Sequence, residues 1–289
     1  MWIADKWSDY ELLDASDGER LERWGKYILI RPDPQIIWKK SAQHKAWKNA
    51  NAIYKRSSAG GGGWSKNTLP QSWNIKYESL GLTFTLKPMG FKHTGLFPEQ
   101  AANWEWFSKL IKKAGRPIKV LNLFAYTGGA TIAAAKAGAS VVHVDAAKGM
   151  VARAKENAAL SGLAGAPIRY IVDDCKKFVE REIRRGNKYD AIIMDPPSYG
   201  RGANGEVWNL EDNLYDFVDL TMKVLSDKPL FVLINSYTTG LGATVLKNIL
   251  GLNLKDKKGK IEAYELCLPT NEKDVLLPCG TSGMFIGEN

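Results

Sequence analysis

"KVLNLFAYTGGATIAAAKAG", residues 119–138, decides how this chain folds. A short apolar run, a turn carrying Gly128 and Gly129, and an alanine-rich stretch follow one another, which predicts a strand passing through a tight turn into a helix. The unit then repeats. Strand candidates KVLNLF, VVHVD, IRYIV, YDAIIMD and PLFVLIN alternate with TIAAAKAG, AKGMVARAKENAALSGL, CKKFVEREIRRG and LEDNLYDFVDLTMKVLS, whose apolar positions recur at helical spacing. Such alternation is the pattern of a parallel sheet covered by helices, so the expected fold class is α/β with a doubly wound, mostly parallel sheet. After Asn235, ATVLKNILG reads as a further helix, and IEAYELCL and LLPCGTSGMFI as strands pairing antiparallel at one edge.

The first ninety or so residues read differently. YELLDAS, KYILIRP, QIIW, IKYES and LTFTLKP are short strand candidates, and SAQHKAWKNANAIYKR is the one stretch with a helical period. A small α+β domain over residues 1–88 and a larger domain over 89–289 are expected. The run SSAGGGGW reads as a surface loop, and no internal repeat is present.

With 289 residues, 45% of them hydrophobic, the chain can bury a substantial core. A formal charge of +9 and a pI near 9.3 favour an anionic partner, because clustered Lys and Arg release counterions from phosphate chains. The basic pairs Lys39–Lys40, Lys55–Arg56, Lys112–Lys113, Arg184–Arg185 and Lys257–Lys258 fit the solvated faces of a basic enzyme equally well. Cys175, Cys267 and Cys279 are odd in number and lack CxxC spacing, which reads as reduced thiols in a cytoplasm. The N-terminal MWIADKWSDYELL has no basic region followed by an apolar stretch, and no apolar run approaches membrane-spanning length. Neither secretion nor insertion is expected.

A strand, a glycine-bearing turn and a helix place free N–H groups and a positive dipole end beside a ligand, and Gly128 and Gly129 are expected to let that ligand approach the backbone. The GxGxxG fingerprint and the P-loop lysine are absent, which argues against nicotinamide chemistry. Asp145 closes the second strand candidate 17 positions beyond Gly128, where it suits either both hydroxyls of a ribose or the cap of the next helix. Asp173 and Asp174 close the third, again as a cap or as an acceptor for an adenine amino group. The fourth ends in DPPSYGRG, residues 195–202. Its prolines stop the strand and hold the Asp195 carboxylate and the Pro196 carbonyl as fixed acceptors, beside the flat face of Tyr199. Three dispersed histidines suggest no metal site.

Taken together, VLNLFAYTGGAT, VHVDAAKGMVARAKENAALSGL, VDDCKKF and DPPSYGRG resemble the motifs of class I S-adenosylmethionine-dependent methyltransferases. The likeness is to the bacterial family that includes 23S ribosomal RNA cytosine carbon-5 and guanine nitrogen-7 methyltransferases. FKHTGLFPEQAANW, residues 91–104, is similar to that family's stretch leading into the methyltransferase domain. The resemblance implies a Rossmann-like sheet, S-adenosyl-L-methionine as cofactor, and RNA, ribosomal RNA in particular, as partner. It further implies that Asn122, Phe124, Ala125, Tyr126, Thr127, Gly128 and Gly129 wrap the methionine part of the cofactor, with Thr94 and Gln100 on the same side. Asp145 falls at the ribose and Asp174 at the adenine amino group, Ala146 and Cys175 are cofactor-binding as well, and Asp195, Pro196, Pro197 and Tyr199 fall at the target. His93 could line the methionine side, but reads more simply as a satisfied polar residue.

Cytosine-modifying members carry a cysteine after the fifth strand, where this chain reads INSYTTG. A carbon nucleophile needs that thiolate, so carbon-5 methylation is not expected. Nitrogen methylation needs only a lone pair in line with the methyl and an acceptor for the proton or developing charge. Ser198 separates the prolines from Tyr199, which leaves exocyclic and ring nitrogens both open. Tyr199 would stack on a flipped or single-stranded base, and Trp208 would assist it or pack against the sheet. Trp38, Trp47, Trp64 and Trp73 interleave with lysines, as RNA-stacking residues or as the core of a small domain. The competing expectations are a protein or small-molecule N-methyltransferase and a non-catalytic RNA-binding protein on the same fold.

Overall fold

The computed structural model describes residues 1–39, 44–57, 61–201 and 207–288. Lys40, Gly60 and Gly202, named above, lie outside the described residues. The chain forms two compact units, one of Met1–Trp2, Asn103–Leu266 and Cys279–Asn289, the other of Ile3–Ala102 and Cys267–Pro278.

After a two-residue strand β1 (Trp2–Ile3), the N-terminal stretch contributes β2 (Tyr10–Ser16), β3 (Glu19–Trp24), β4 (Tyr27–Pro32), β5 (Ala52–Arg56), β6 (Gly62–Asn67), β7 (Trp73–Tyr77) and β8 (Leu82–Leu86). Strands β2 to β6 form one five-stranded sheet in chain order, and β7 and β8 pair separately. The helix expected over 41–56 is absent from its described part. A 3-10 turn at Lys45–Asn49, begun by the His44 side chain accepting from the Ala46 N–H, leads into β5. There the alternation Ala52, Tyr54 buried and Lys55, Arg56 exposed is satisfied by strand pairing. QIIW is likewise no strand: the Asp33 carboxylate accepts from the Gln35 N–H and the Asp33 carbonyl from the Ile36 N–H, making a turn after Pro34. Part of the expected glycine loop is strand β6, where a Cβ on Gly62 would stand 2.3 Å from the Lys55 carbonyl oxygen.

Strand β3, ERLERW, escapes the hydrophobic pattern because two of its inward positions are charged. Glu22 is fully buried, and its carboxylate takes two bonds from Arg31, at 2.6 and 2.7 Å, and one from the Tyr10 hydroxyl at 2.9 Å. Arg20 lies 3.7 Å from the same carboxylate and 3.8 Å from Asp33. A buried charge is tolerable only with such partners.

The larger unit begins with α1 (Ala101–Lys113) and continues β9 (Lys119–Leu123), α2 (Gly129–Lys136), β10 (Ser140–Asp145), α3 (Lys148–Leu160), β11 (Ile168–Val172), α4 (Cys175–Arg184) and β12 (Ala191–Met194). A small hairpin, β13 (Tyr199–Arg201) and β14 (Val207–Asn209), precedes α5 (Leu210–Met222), β15 (Phe231–Ser236), α6 (Ala243–Asn253), β16 (Gly259–Pro269) and β17 (Leu276–Gly287). The main sheet runs β1-β16-β17-β15-β12-β9-β10-β11. Strands β11, β10, β9, β12 and β15 are mutually parallel, and β17 is antiparallel to β15. This is the doubly wound, mostly parallel sheet with an antiparallel edge that the alternation predicts. Every residue of β12 and β15 is buried, as strands covered by helices require, and Phe178, Leu214, Phe217 and Leu246 belong to the same core as Val232, Ile234 and Phe285.

Candidate active site

Parallel pairing brings the carboxyl ends of five strands to one edge: Leu123 is level with Val144 and Met194, Asp145 with Val172, and Met194 with Ile234. Chain order runs from β9 to β10 on one side, then returns to β12 on the other. Open sheets bind ligands outside such a reversal.

The turn from β9 into α2 is held by its backbone. The Phe124 N–H donates to Cys175 Sγ at 3.3 Å, the Ala125 N–H to the Val144 carbonyl at 3.0 Å, and the Tyr126 N–H to Asp145 Oδ2 at 2.8 Å. Phe124 and Tyr126 both sit at positive φ, 55° and 49°. These non-glycine residues therefore adopt the left-handed conformation usually given to glycine, at a cost of about 1–2 kcal/mol each. The Phe124 ring recovers part of that cost by packing 5.5 Å from Trp208 and 5.4 Å from Phe217.

The two glycines of the turn are required by packing. Gly128 has φ 88°, and a Cβ there would lie 2.7 Å from Ala154 Cβ on α3; one on Gly129 would lie 2.6 Å from the buried Trp104 ring on α1. Both are needed so that α1 and α3 can close on the turn. Gly128→Ala and Gly129→Ala should each lower stability by about 1–3 kcal/mol in urea unfolding, through crowding and, at Gly128, backbone strain. A loss below about 0.5 kcal/mol would show that neither helix is held in place.

Asn122 is fully buried, and its amide donates to Thr131 Oγ1 at 2.9 Å, which in turn meets His143 Nδ1 at 2.9 Å. It thus ties α2 to the sheet. His143 is a core histidine whose pKa burial pushes down to about 4. Thr127 is also buried, and its carbonyl accepts from Asn157 at 3.0 Å. Cys175 opens α4 beneath the turn, buried, with its thiol pushed far up the pH scale by desolvation.

Asp145 is not the cap of α3, whose N-cap is Ala147 without a side-chain bond. Oδ1 accepts from the Ala147 N–H at 2.8 Å, at the entry to α3, while Oδ2 secures the turn. A carboxylate has about four acceptor positions, so two remain for hydroxyls. Burial nonetheless raises its pKa, ahead of the opposing effect of those two N–H groups. Ala146 beside it is exposed. Asp174 caps α4 through Oδ1, 2.9 Å from the Lys177 N–H, and Asp173 pairs with Arg181. Val172, half exposed, provides an apolar surface at the same strand end.

At the end of β12, Pro196 is buried while Pro197, Ser198 and Tyr199 are exposed. Trp208 Nε1 donates to the Pro197 carbonyl at 2.6 Å, the Leu210 N–H donates to the Ser198 carbonyl at 3.0 Å, and the Thr238 hydroxyl donates to Ser198 Oγ at 2.6 Å. Sequence reading leaves Trp208 undecided and passes over Thr238. The pairing of β13 with β14 brings Trp208 opposite Gly200, and its ring also packs at right angles to Phe217. Asn235, where a cysteine-bearing segment would begin, is buried and takes bonds from Asn103 and Ser282.

Thr94 and Gln100 belong to the other unit and are buried there. The Thr94 hydroxyl and Glu99 Oε2 have no hydrogen-bond partner among the described residues, and burial raises the Glu99 pKa. His93 is pushed down to about 4 by burial and then by Arg31, Lys92 and Arg20. The four tryptophans that interleave with lysines all bond inside this unit: Trp38 to the Ala15 carbonyl, Trp47 to Asp14, Trp64 to the Met89 carbonyl and Trp73 to the Trp24 carbonyl. Half-buried and satisfied, they are packing residues. Among the described residues no helix is long and apolar enough to cross a membrane, and no group of three or more His, Cys, Asp or Glu could hold a metal ion.

Comparison with known proteins agrees with this geometry. Residues 37–221 match the family model described as S-adenosylmethionine-dependent methyltransferase. A SAM-dependent methyltransferase from Agrobacterium tumefaciens has a structure 37% identical in sequence, with a TM-score of 0.91 over 97% of this chain and 91% of that one. A methyltransferase complexed with SAH shares the fold at 19% identity, with a TM-score of 0.77 over 98% of this chain and 76% of that one. The ribosomal RNA large subunit methyltransferase K/L of Shewanella frigidimarina is 34% identical over 151 residues, which are 52% of this chain and 20% of that much longer relative. The turn, the acidic strand ends and the proline corner thus lie in a protein that belongs to the S-adenosylmethionine-dependent methyltransferase family.

Proposed function

We propose that this enzyme methylates a base nitrogen of RNA, ribosomal RNA of the large subunit in particular, without a covalent cysteine intermediate. The single observation that carries the nitrogen assignment is the rigid acceptor corner at the end of β12, with no cysteine in the segment that follows it or in the one that follows β15. Cys175 is buried, accepts the Phe124 N–H and is held as a thiol by desolvation. Cys267 is buried too, and Cys279 lies on β17. No described cysteine follows β12 or β15 in the chain, where the cytosine-modifying pattern has one; partly exposed Cys279 comes instead from β17, two residues before Thr281, the partner of Ser236 at the end of β15. The RNA assignment rests on the likeness to the Shewanella ribosomal RNA large subunit methyltransferase K/L, the basic chain and the exposed Tyr199.

The residues present fit the cofactor. Asp145 has acceptor positions left for two ribose hydroxyls, Asp174 has Oδ2 beyond its capping oxygen for the adenine amino group, and Val172 and Phe124 offer apolar surface for the ring. The α2 N-terminus suits a carboxylate. When bound, S-adenosylmethionine supplies an electrophilic methyl on a sulfonium. Asp195 and the Pro196 carbonyl then orient the target base by accepting hydrogens from its amino group, the target itself or a neighbour of a ring nitrogen, so that the nitrogen lone pair faces the methyl. The charge that develops on nitrogen is stabilised by the Asp195 carboxylate, which also takes the released proton. Trp208, Leu210 and Thr238 keep the corner rigid, and Tyr199 stacks on a base removed from its helix. The N-terminal residues 1–88 act as a substrate-binding domain.

Two measurements test this reading. Asp145→Ala should weaken S-adenosylmethionine binding in calorimetry by tenfold or more, since a hydrogen bond to a charged group is worth about 1.5–3 kcal/mol; unchanged binding would remove Asp145 from the site. Tritiated methyl transfer into an extract should be ribonuclease-sensitive. Label that survives ribonuclease would point instead to a protein or small-molecule acceptor.

A further inference from the structure

Between Asp33 and Glu78 the sequence runs for 44 residues without a single Asp or Glu, yet carries eight Lys and Arg. The remainder of the chain is left at a formal charge of +1, so nearly all of the net charge of +9 resides in this one stretch. We propose that the β5–β6 hairpin and the 3-10 turn that leads into it form the surface that grips the phosphate backbone of RNA. This deepens, and rests on, the reading of the protein as an RNA methyltransferase.

The fold gathers these charges. Lys66 stands opposite Ile53 in the β5–β6 register, and Lys55 shares the Ile53 face because alternate strand residues point the same way. Ala46 and Trp47, in the turn carrying Lys45 and Lys48, pack together with Ile53 against the core of Leu13, Leu21, Ile30 and Ala50. Lys45, Lys48, Lys55, Arg56 and Lys66 are all exposed, and none has a carboxylate partner among the described residues. Other surface cations of this chain do: Arg23 with Glu11, Lys39 with Asp17, Lys223 with Asp219. Mutual repulsion costs stability, and within the unit nothing offsets it. Nearby Lys92 is pushed down to about 8 by burial first and then by the buried Arg20 and Arg31, with Arg56 the one member of this group that adds to it.

The hairpin also has the right steric character. Strand β6 is the sheet edge, and apart from half-buried Trp64 its residues are Gly62, Gly63, Ser65, Lys66 and Asn67, all exposed. Small and polar, they allow a sugar-phosphate chain to approach closely and offer it hydrogen-bond donors. They present no large apolar side chain to insert into a lipid surface. That favours RNA over an anionic membrane.

The test compares the full-length protein, Lys55→Glu/Arg56→Glu/Lys66→Glu, and a charge-matched control, Lys109→Glu/Lys112→Glu/Lys255→Glu, using deproteinised large-subunit ribosomal RNA. The hairpin variant should bind at least tenfold more weakly than wild type at physiological salt. Its slope of log affinity against log salt should be shallower by about 2–3, as expected for three lost phosphate contacts. Its circular dichroism, its S-adenosylmethionine affinity and its kcat at saturating RNA should be unchanged, with KM raised. Wild-type affinity in the hairpin variant, an equal loss in the control, or a loss confined to binding of phosphatidylserine vesicles would each overturn the proposal. Methyl transfer read in the same samples separates the two ideas: RNA affinity lost without any RNA methylation by wild type would leave the surface standing and sink the activity.

Discussion

Asp195→Ala is expected to lower kcat for methyl transfer by about 10²–10⁴-fold, while the Kd for S-adenosylmethionine stays within about twofold. Asp195 follows the last residue of β12, its backbone N–H reaches the Leu123 carbonyl at 3.4 Å, and buried Pro196 comes next, so the change removes the carboxylate and leaves these backbone positions in place. Asp195→Asn keeps one acceptor oxygen and loses the charge. Its rate should fall between wild type and the alanine variant, which separates hydrogen-bond orientation from charge stabilisation. Single-turnover transfer with saturating RNA is the measurement. A loss below tenfold for alanine would mean that the methyl is accepted elsewhere, whereas no transfer by wild type toward any RNA would favour a binding protein on the same fold.

Glu22→Ala is expected to cost about 3–5 kcal/mol, the largest stability effect of any single change proposed for this chain, because it leaves Arg20 and Arg31 buried without their shared carboxylate. Burial alone would raise the pKa of Glu22, but Arg20, Arg31 and the Tyr10 hydroxyl overcome it and bring it to about 2 from 4.5. A depressed folded pKa means that the stabilisation is complete above about pH 4.5 and fades as the pH falls towards 2. By linkage it amounts to about 3 kcal/mol at neutral pH. Urea unfolding of wild type should therefore weaken steeply between pH 4.5 and 2, and the gap to Glu22→Ala should narrow over the same range. A gap that is independent of pH would mean that packing, not charge, makes Glu22 necessary.

Strand β3 also shows where sequence reading loses sight of structure. ERLERW has no apolar alternation, so it is invisible to a hydrophobic template, yet it is a central strand because its charges neutralise one another across β2, β3 and β4. The stretch SAQHKAWKNANAIYKR has a helical period, but strand pairing with β4 and β6 outweighs that local preference over its second half. In the larger unit the strands and helices from β9 to β12, and α5, β15, α6, β16 and β17, have the same state locally and globally, which is why they were legible; α1 and the β13–β14 hairpin were not read. Local pattern and tertiary demand agree there.

The sequence by itself determined the alternation of strand and helix, the acidic residue closing each of three parallel strands and the proline corner, since these depend on neighbours a few positions apart. Tertiary structure alone decided what the individual residues do. It gave the two glycines of the turn to helix packing and the left-handed conformations to Phe124 and Tyr126. It committed Asn122 to Thr131, turned Cys175 into an acceptor beneath the loop, and placed Trp208 on the Pro197 carbonyl. Each of those outcomes is set by atoms brought within about 4 Å from distant parts of the chain, a distance over which packing and hydrogen bonding act and over which sequence spacing carries no information.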